Sequence, residues 1–213
     1  MFKNILFLLI FIFSYQILSQ SIELKNEYKL TNQYFKNKNY TKALSTNDKA
    51  LKLSKKEFGY DHLTTATLLE NKGRLLLELE SINKAEYYFR EVVKIRKKLI
   101  NKNDPDTADA LNYLALTLRK QNRLEDAIQV HNEVLTMMGN IIATNPGQIS
   151  ELSRRSALYR ARAYQTKGQE LLSKNKIEEA KGNFRIAIKI FERTLGKNKK
   201  ELNYLIDIMK NIN

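Results

Sequence analysis

GQELLSKNKIEEAKGNFRIA, residues 168–187, sets a small residue, Gly168, three places before the large Leu171. A second small residue, Ala180, stands four before Phe184 and seven before Ala187. Two helices approach to about 8–10 Å only where small side chains face one another, and large apolar residues fill beside that contact. The stretch therefore reads as two helices joined by a polar turn and closed on each other. The same spacing recurs upstream around Ala43, Ala85 and Ala127, which stand 42 residues apart. Twelve before each anchor are Thr31, Gly73, Ala115 and Gly168; nine before are Tyr34, Leu76, Leu118 and Leu171. Seven after come Ala50, Val92, Val134 and Ala187. Four after stand Asn47, Phe89, His131 and Phe184. A fixed period of roughly 20–50 residues predicts stacked helix pairs rather than one globular core, with at least three pairs needed to bury a continuous apolar face.

This run of small, large, small, aromatic and small residues resembles the tetratricopeptide repeat, whose usual period is about 34 residues. The longer period, and the openings Asp61-His-Leu-Thr-Thr-Ala66 and Asp104-Pro-Asp-Thr-Ala108, are similar to the kinesin-light-chain type of that repeat. The resemblance implies an all-α right-handed superhelix of about four helix–turn–helix repeats, near 22–59, 64–101, 106–145 and 148–196, closed by a C-terminal capping helix in 200–213. The array as a whole then spans 20–199. In the last segment Leu202, Leu205, Ile206 and Met209 follow the i, i+3, i+4, i+7 spacing of one apolar helix face.

Helix-end signals agree with the pattern. Asp104 before Pro105 is an N-cap with proline at the first helical position, and Asn145–Pro146 repeats the device. Glu125 with Asp126, and Glu178 with Glu179, open second helices where the helix dipole favours acids. Gly59 and Gly196 are placed to close helices. One step is irregular: Ala127 and Ala180 are 53 apart, so Gln148 to Ser173 is expected as one long first helix and the lengthened pair is expected to project.

The beginning of the chain follows a different rule. Lys3 precedes an unbroken apolar run, Ile5 to Phe13, and a polar stretch, Ser14 to Gln20. That order is expected of a secretory signal peptide over 1–19, cleaved after Ser19. It is shorter than the ~18 apolar residues of a membrane span, and no later segment is apolar enough for one. The expected mature chain is exported, periplasmic or secreted, with monomer the favoured state.

The chain holds no cysteine, so disulfides, thiolate metal sites and cysteine nucleophiles are all absent. Its formal charge of +14 is spread along the sequence rather than gathered on one stripe, and nucleic acid is not an expected partner. The two histidines, His62 and His131, lack the neighbours a metal site needs. His62 is read as a loop residue before a first helix, and His131 as a substitute for a packed aromatic. There is no glycine-rich phosphate loop, nucleophile elbow or HExxH motif. Neither catalysis, a metal nor a cofactor is expected.

What remains is a binding surface. In tetratricopeptide arrays the first helices of each pair line a concave face that holds peptides. By register that implies Tyr28 and Asn32, then Glu70 and Arg74, then Asn112 and Arg119, then Arg162, Gln165 and Gln169, with Leu77 and Leu116 as apolar anchors. Amides and arginines can satisfy a peptide backbone and acidic side chains. The lysine–asparagine clamp of chaperone-binding members is not matched, because Glu70 and Leu116 stand where it wants asparagine. The expected function is a non-catalytic scaffold for a protein or peptide partner. Two other roles suit the same array: a sensory module serving a separately encoded signalling enzyme, or a self-assembling envelope protein.

Overall fold

The computed structural model describes residues 22–100, 103–144, 149–195 and 200–212. The expected signal peptide, Asn145–Pro146 and Gly196 lie outside the described residues. Every regular element among the described residues is an α-helix, as the sequence pattern predicts. The chain divides into two compact units, Met1–Leu99 and Ile100–Asn213.

The first unit holds α1 (22–36), α2 (Tyr40–Phe58), α3 (Leu63–Glu78) and α4 (Ile82–Leu99). Ala43 and Ala85 have no exposed surface, nor do Ala50 and Val92, so the small residues are where neighbouring helices meet. Gly73 on α3 faces the ring of Phe89 on α4. The corresponding pair in the first repeat is polar. Asn47 is fully buried and donates from Nδ2 to the Leu68 carbonyl at 3.0 Å, while the Thr31 and Thr46 hydroxyls meet at 2.9 Å. These bonds remove much of the cost of burying amide and hydroxyl groups in an apolar seam. Gly59 closes α2 with φ +88°, a conformation a Cβ disfavours. His62 then caps α3: its Nδ1 accepts from the Thr64 amide at 3.1 Å and its ring stacks on Phe58.

The second unit holds α5 (Pro105–Lys120), α6 (Leu124–Thr144), α7 (Ile149–Ser173), α8 (Ile177–Leu195) and α9 (Lys200–Asn211). The Asp104 side chain accepts from the Thr107 amide at 2.8 Å, so the Asp–Pro start behaves as the sequence predicts. Ala127, Ala180, Val134 and Ala187 are fully buried. Leu202 and Leu205 of α9 join Phe184 and Phe191 of α8 in one apolar cluster, which makes α9 a cap. The long α7 does not project freely at its start. Leu152 is buried, and Arg155 reaches back to the Pro105 carbonyl at 3.0 Å and to the Asp109 carboxylate, which also accepts from the Tyr159 hydroxyl. The added turns are fastened to the start of α5.

One repeated device escaped the sequence reading. Lys38, Glu80, Asn122 and Asn175 all have φ between 53° and 60°. Each sits five residues before its anchor alanine, in the turn between first and second helix. The amide after each bonds the carbonyl of Tyr34, Leu76, Leu118 or Leu171 at 2.8–2.9 Å, the six-to-one bond of a Schellman motif. The next helix starts at once, since the anchor amides of Ala43, Ala85, Ala127 and Ala180 bond to Asn39, Ser81, Arg123 and Lys176. The period is thus written in backbone dihedrals as well as in side chains.

Candidate functional site

The nine residues assigned by register fall into two groups, one per unit. In the first unit α1 and α3 lie side by side, and a small cleft of about 50 Å³ opens between them, lined by Thr31, Asn32, Phe35, Asn71, Arg74 and Leu75. Two assigned residues, Asn32 and Arg74, are brought together there. The Arg74 guanidinium stands 5.2 Å from the Phe35 ring centroid, within cation–π range. The Asn71 Nδ2 is buried without a hydrogen-bond partner. Glu70 is drawn elsewhere: Arg96 of α4, only 4% exposed, holds its carboxylate at 3.2 Å. Tyr28 stays exposed on α1. Phe35, Asn71 and Arg96 were not singled out in the sequence. Phe35 and Asn71 each lie three residues from an assigned neighbour on their helix, which was the available signal.

In the second unit the assigned side chains are held by other helices rather than standing free in solvent. Arg119 Nη1 on α5 donates to Gln165 Oε1 on α7 at 2.5 Å. Arg162 Nη2 lies 3.6 Å from Glu201 Oε1 on α9. Gln169 Nε2 donates to the Tyr204 hydroxyl at 3.1 Å. Asn112 and Gln165 are each 2% exposed, and the Asn112 side-chain carbonyl lacks a partner. Glu201 and Tyr204 were read as part of a cap, yet they share this face with the first helices α5 and α7.

The electrostatics follow from burial. Removal from water, then repulsion from Arg162, bring the Arg119 guanidinium down to about 10, so it stays charged at neutral pH. Burial, then Arg119 and Arg162, hold His131 at about 3, a neutral imidazole. The Thr166 hydroxyl lies 2.9 Å from the Arg162 carbonyl and 3.3 Å from His131 Nε2. His131 is buried, with 1% of its surface exposed, as its place in the packing register suggests. Among the described residues no three His, Cys, Asp or Glu side chains gather in a way that could hold a metal ion. No helix among them is long and apolar enough to cross a membrane.

Comparison with known proteins agrees with the fold. Models of the tetratricopeptide repeat match residues 26–98, 84–139 and 161–194. A Podosopora anserina structure described as kinesin light chain with nearly identical TPR-like repeats superposes with a TM-score of 0.59 at 17% identity, covering 87% of this chain and 83% of its own. BtubC (BKLC) from P. vanneervenii superposes with a TM-score of 0.59 at 15% identity, covering 93% and 82%. These neighbours share the fold and are kinesin-light-chain-like. A search of curated proteins returned no matching relative. With more than half of its length inside these matches, the chain belongs to the tetratricopeptide repeat family.

Proposed function

We propose that the chain is an exported, non-catalytic scaffold that binds a protein or peptide partner on the faces of its first helices. Tetratricopeptide repeats generally mediate protein–protein contacts and act as scaffolds without chemistry of their own. The observation that carries the reading is the cleft between α1 and α3, where Asn32, Asn71 and Arg74 surround Phe35. A buried amide donor without a partner is costly, about 1–3 kcal/mol, and a peptide carbonyl entering the cleft supplies the missing acceptor. The guanidinium above Phe35 adds a charged rim over an apolar floor, the composition of a peptide subsite. Export rests on the order of charged, apolar and polar segments in residues 1–19.

The test is capture from envelope extracts by the tagged chain beside an Asn32→Ala/Arg74→Glu variant, with the helical signal of both checked. A protein retained by the parent and lost from the folded variant is the expected result. Equal retention by both would remove the cleft from the reading. Export is checked by cell fractionation, where retention of the chain in the cytoplasm would refute it.

A further inference from the structure

The side of α7 turned away from the first-helix face lies under an open groove. At about 3.6 residues per turn, Arg160, Ala163, Tyr164 and Lys167 stand opposite Arg162, Gln165 and Gln169 on the same helix. The groove has α6 and α8 as walls and α7 as floor, and it encloses about 300 Å³. Ile128 and Leu135 of α6, with Ala163 and Tyr164 of α7, supply its apolar surface, and Arg160 and Lys167 supply its charge. Tyr164 packs against the cluster around Phe184, so the floor is fixed by the core.

The first unit has the corresponding three helices and closes the space between them. Lys72 of α3, thirteen before Ala85, pairs with Asp48 of α2 at 2.6 Å and stands 5.0 Å from the ring centroid of Tyr88 on α4. One lysine thus ties two second helices together. Leu68 on the same helix is 1% exposed. In the second unit only the lysine is kept. At the same distances from their anchors, Asn132 stands for Asp48, Asn183 for Tyr88 and Ala163 for Leu68. Lys167, thirteen before Ala180, turns along its own helix to Glu170, which Lys174 also holds. Leu135 is left half-buried where its counterpart Leu51 is buried. Two side chains that would fill the groove and a bridge that would cover it are absent together, and apolar surface is left open as a result.

We propose that this groove is a small-molecule site for an amphiphilic monoanion, an alkyl carboxylate of medium length. Its volume stands at the lower end of the range for small-molecule pockets, roughly 300–1,000 Å³. Asn132 interrupts the apolar row between Ile128 and Leu135, which suits a compact chain better than the continuous stripe of a partner helix. No acidic side chain is among the described residues that line the groove, and Arg160 is exposed, so the rim keeps a positive charge for an anionic end. Arg160 and Lys167 are two helical turns apart, about 10 Å, which an alkyl chain of about eight carbons spans. The site lies on the far side of α7 from the assigned peptide face and stands or falls without it.

The experiment titrates the full chain with sodium octanoate at constant ionic strength and reads methyl resonances by NMR. Saturable shifts of the Ile128, Leu135 and Ala163 methyls are expected, with Leu51 and Leu68 unmoved. Ala163→Leu and Asn183→Tyr, which place there the residue types of Leu68 and Tyr88, should each weaken binding at least about tenfold by filling the groove. Arg160→Gln, at an exposed position, should weaken octanoate about two- to fivefold and leave 1-octanol unaffected. No saturable shift, or undiminished binding by the folded filled variants, overturns the site. If neither filled variant folds, undiminished octanoate binding by Arg160→Gln overturns it instead. Binding of 1-octanol as tight as that of octanoate overturns the anionic assignment. Capture of a protein that Ala163→Leu abolishes, with octanoate never saturating, gives the groove to a macromolecule and overturns the small-molecule proposal.

Discussion

Gly168 lies so close to Phe184 that a Cβ on it would come within 2.5 Å of the ring's Cε1. The helix pair is closed on that contact, and the phenylalanine has no exposed surface. Alanine favours a helix over glycine by about 1 kcal/mol, so a surface Gly→Ala change would stabilise. Here overpacking should win: Gly168→Ala is expected to cost about 1–3 kcal/mol in urea unfolding followed by circular dichroism. Gly168→Ala/Phe184→Leu should recover much of the loss. Gly73→Ala, with Phe89 at 2.9 Å, should cost less.

His131 gives the fold an acid-sensitive point. Its ring is held at about 3 by burial and by two arginines, against an ordinary 6.5. Below pH 6.5 the unfolded chain takes up a proton on this ring that the folded chain refuses, so the stability it contributes is whole above pH 6.5 and lost as pH falls toward 3. At about 1.4 kcal/mol per proton per pH unit, the expected loss between pH 7 and pH 5 is about 2 kcal/mol. His131→Asn, which places there the residue type found at Asn47, should remove that part of the slope. Urea unfolding of both proteins at pH 5, 6 and 7 measures the difference.

The left-handed turn at Lys38 offers a stabilising change. A side chain in that conformation costs about 1–2 kcal/mol, and glycine escapes it while losing about 0.5–1 kcal/mol through greater freedom when unfolded. Lys38 is exposed, so little else is lost with its side chain. Lys38→Gly is expected to raise stability by about 0.5–1 kcal/mol, seen as a higher melting temperature.

Arg155 holds the beginning of α7 against α5. The pair with Asp109 is only partly buried, with side chains 22% and 33% exposed, so Arg155→Met should cost about 1–2 kcal/mol rather than the 3–5 kcal/mol of a fully buried break. Hydrogen exchange should rise in the first two turns of α7 and stay unchanged around Phe184.

The repeat was legible because small residues recur where backbones touch, and a touching backbone tolerates little else. Ala43, Ala85, Ala127 and Ala180 say this directly, and all four are fully buried. The left-handed turns were not legible. A Schellman turn draws its bonds from main-chain groups, so lysine or glutamate can stand where glycine would have advertised it. The candidate face was half legible. Register placed Arg119, Arg162, Gln165 and Gln169 on first helices, but a helical period names a face and not what crosses it. Glu201 and Tyr204 come from α9, more than thirty residues beyond, and Arg96 reaches Glu70 from the second helix α4. Asn112 was assigned to an open surface and is buried instead, since its neighbours Ala108 and Ala115 let helices close around it.

Adjacent hairpins carry unlike residues at the same two register positions: Thr31 and Asn47, Gly73 and Phe89, Ala115 and His131, Gly168 and Phe184. Near-equal hairpins in tandem invite a swap, in which a second helix closes on its neighbour's first helix. The pairs disfavour it between the second and third hairpins. Phe89 offered to Ala115 meets a methyl where Gly73 leaves room, and His131 offered to Gly73 underfills the slot and loses Thr166. The two glycine slots could trade phenylalanines, but the alanine–histidine hairpin stands between them in the chain. Shape complementarity at Gly73–Phe89 and Gly168–Phe184 is thus expected to favour each second helix closing on its own first helix over its neighbour's.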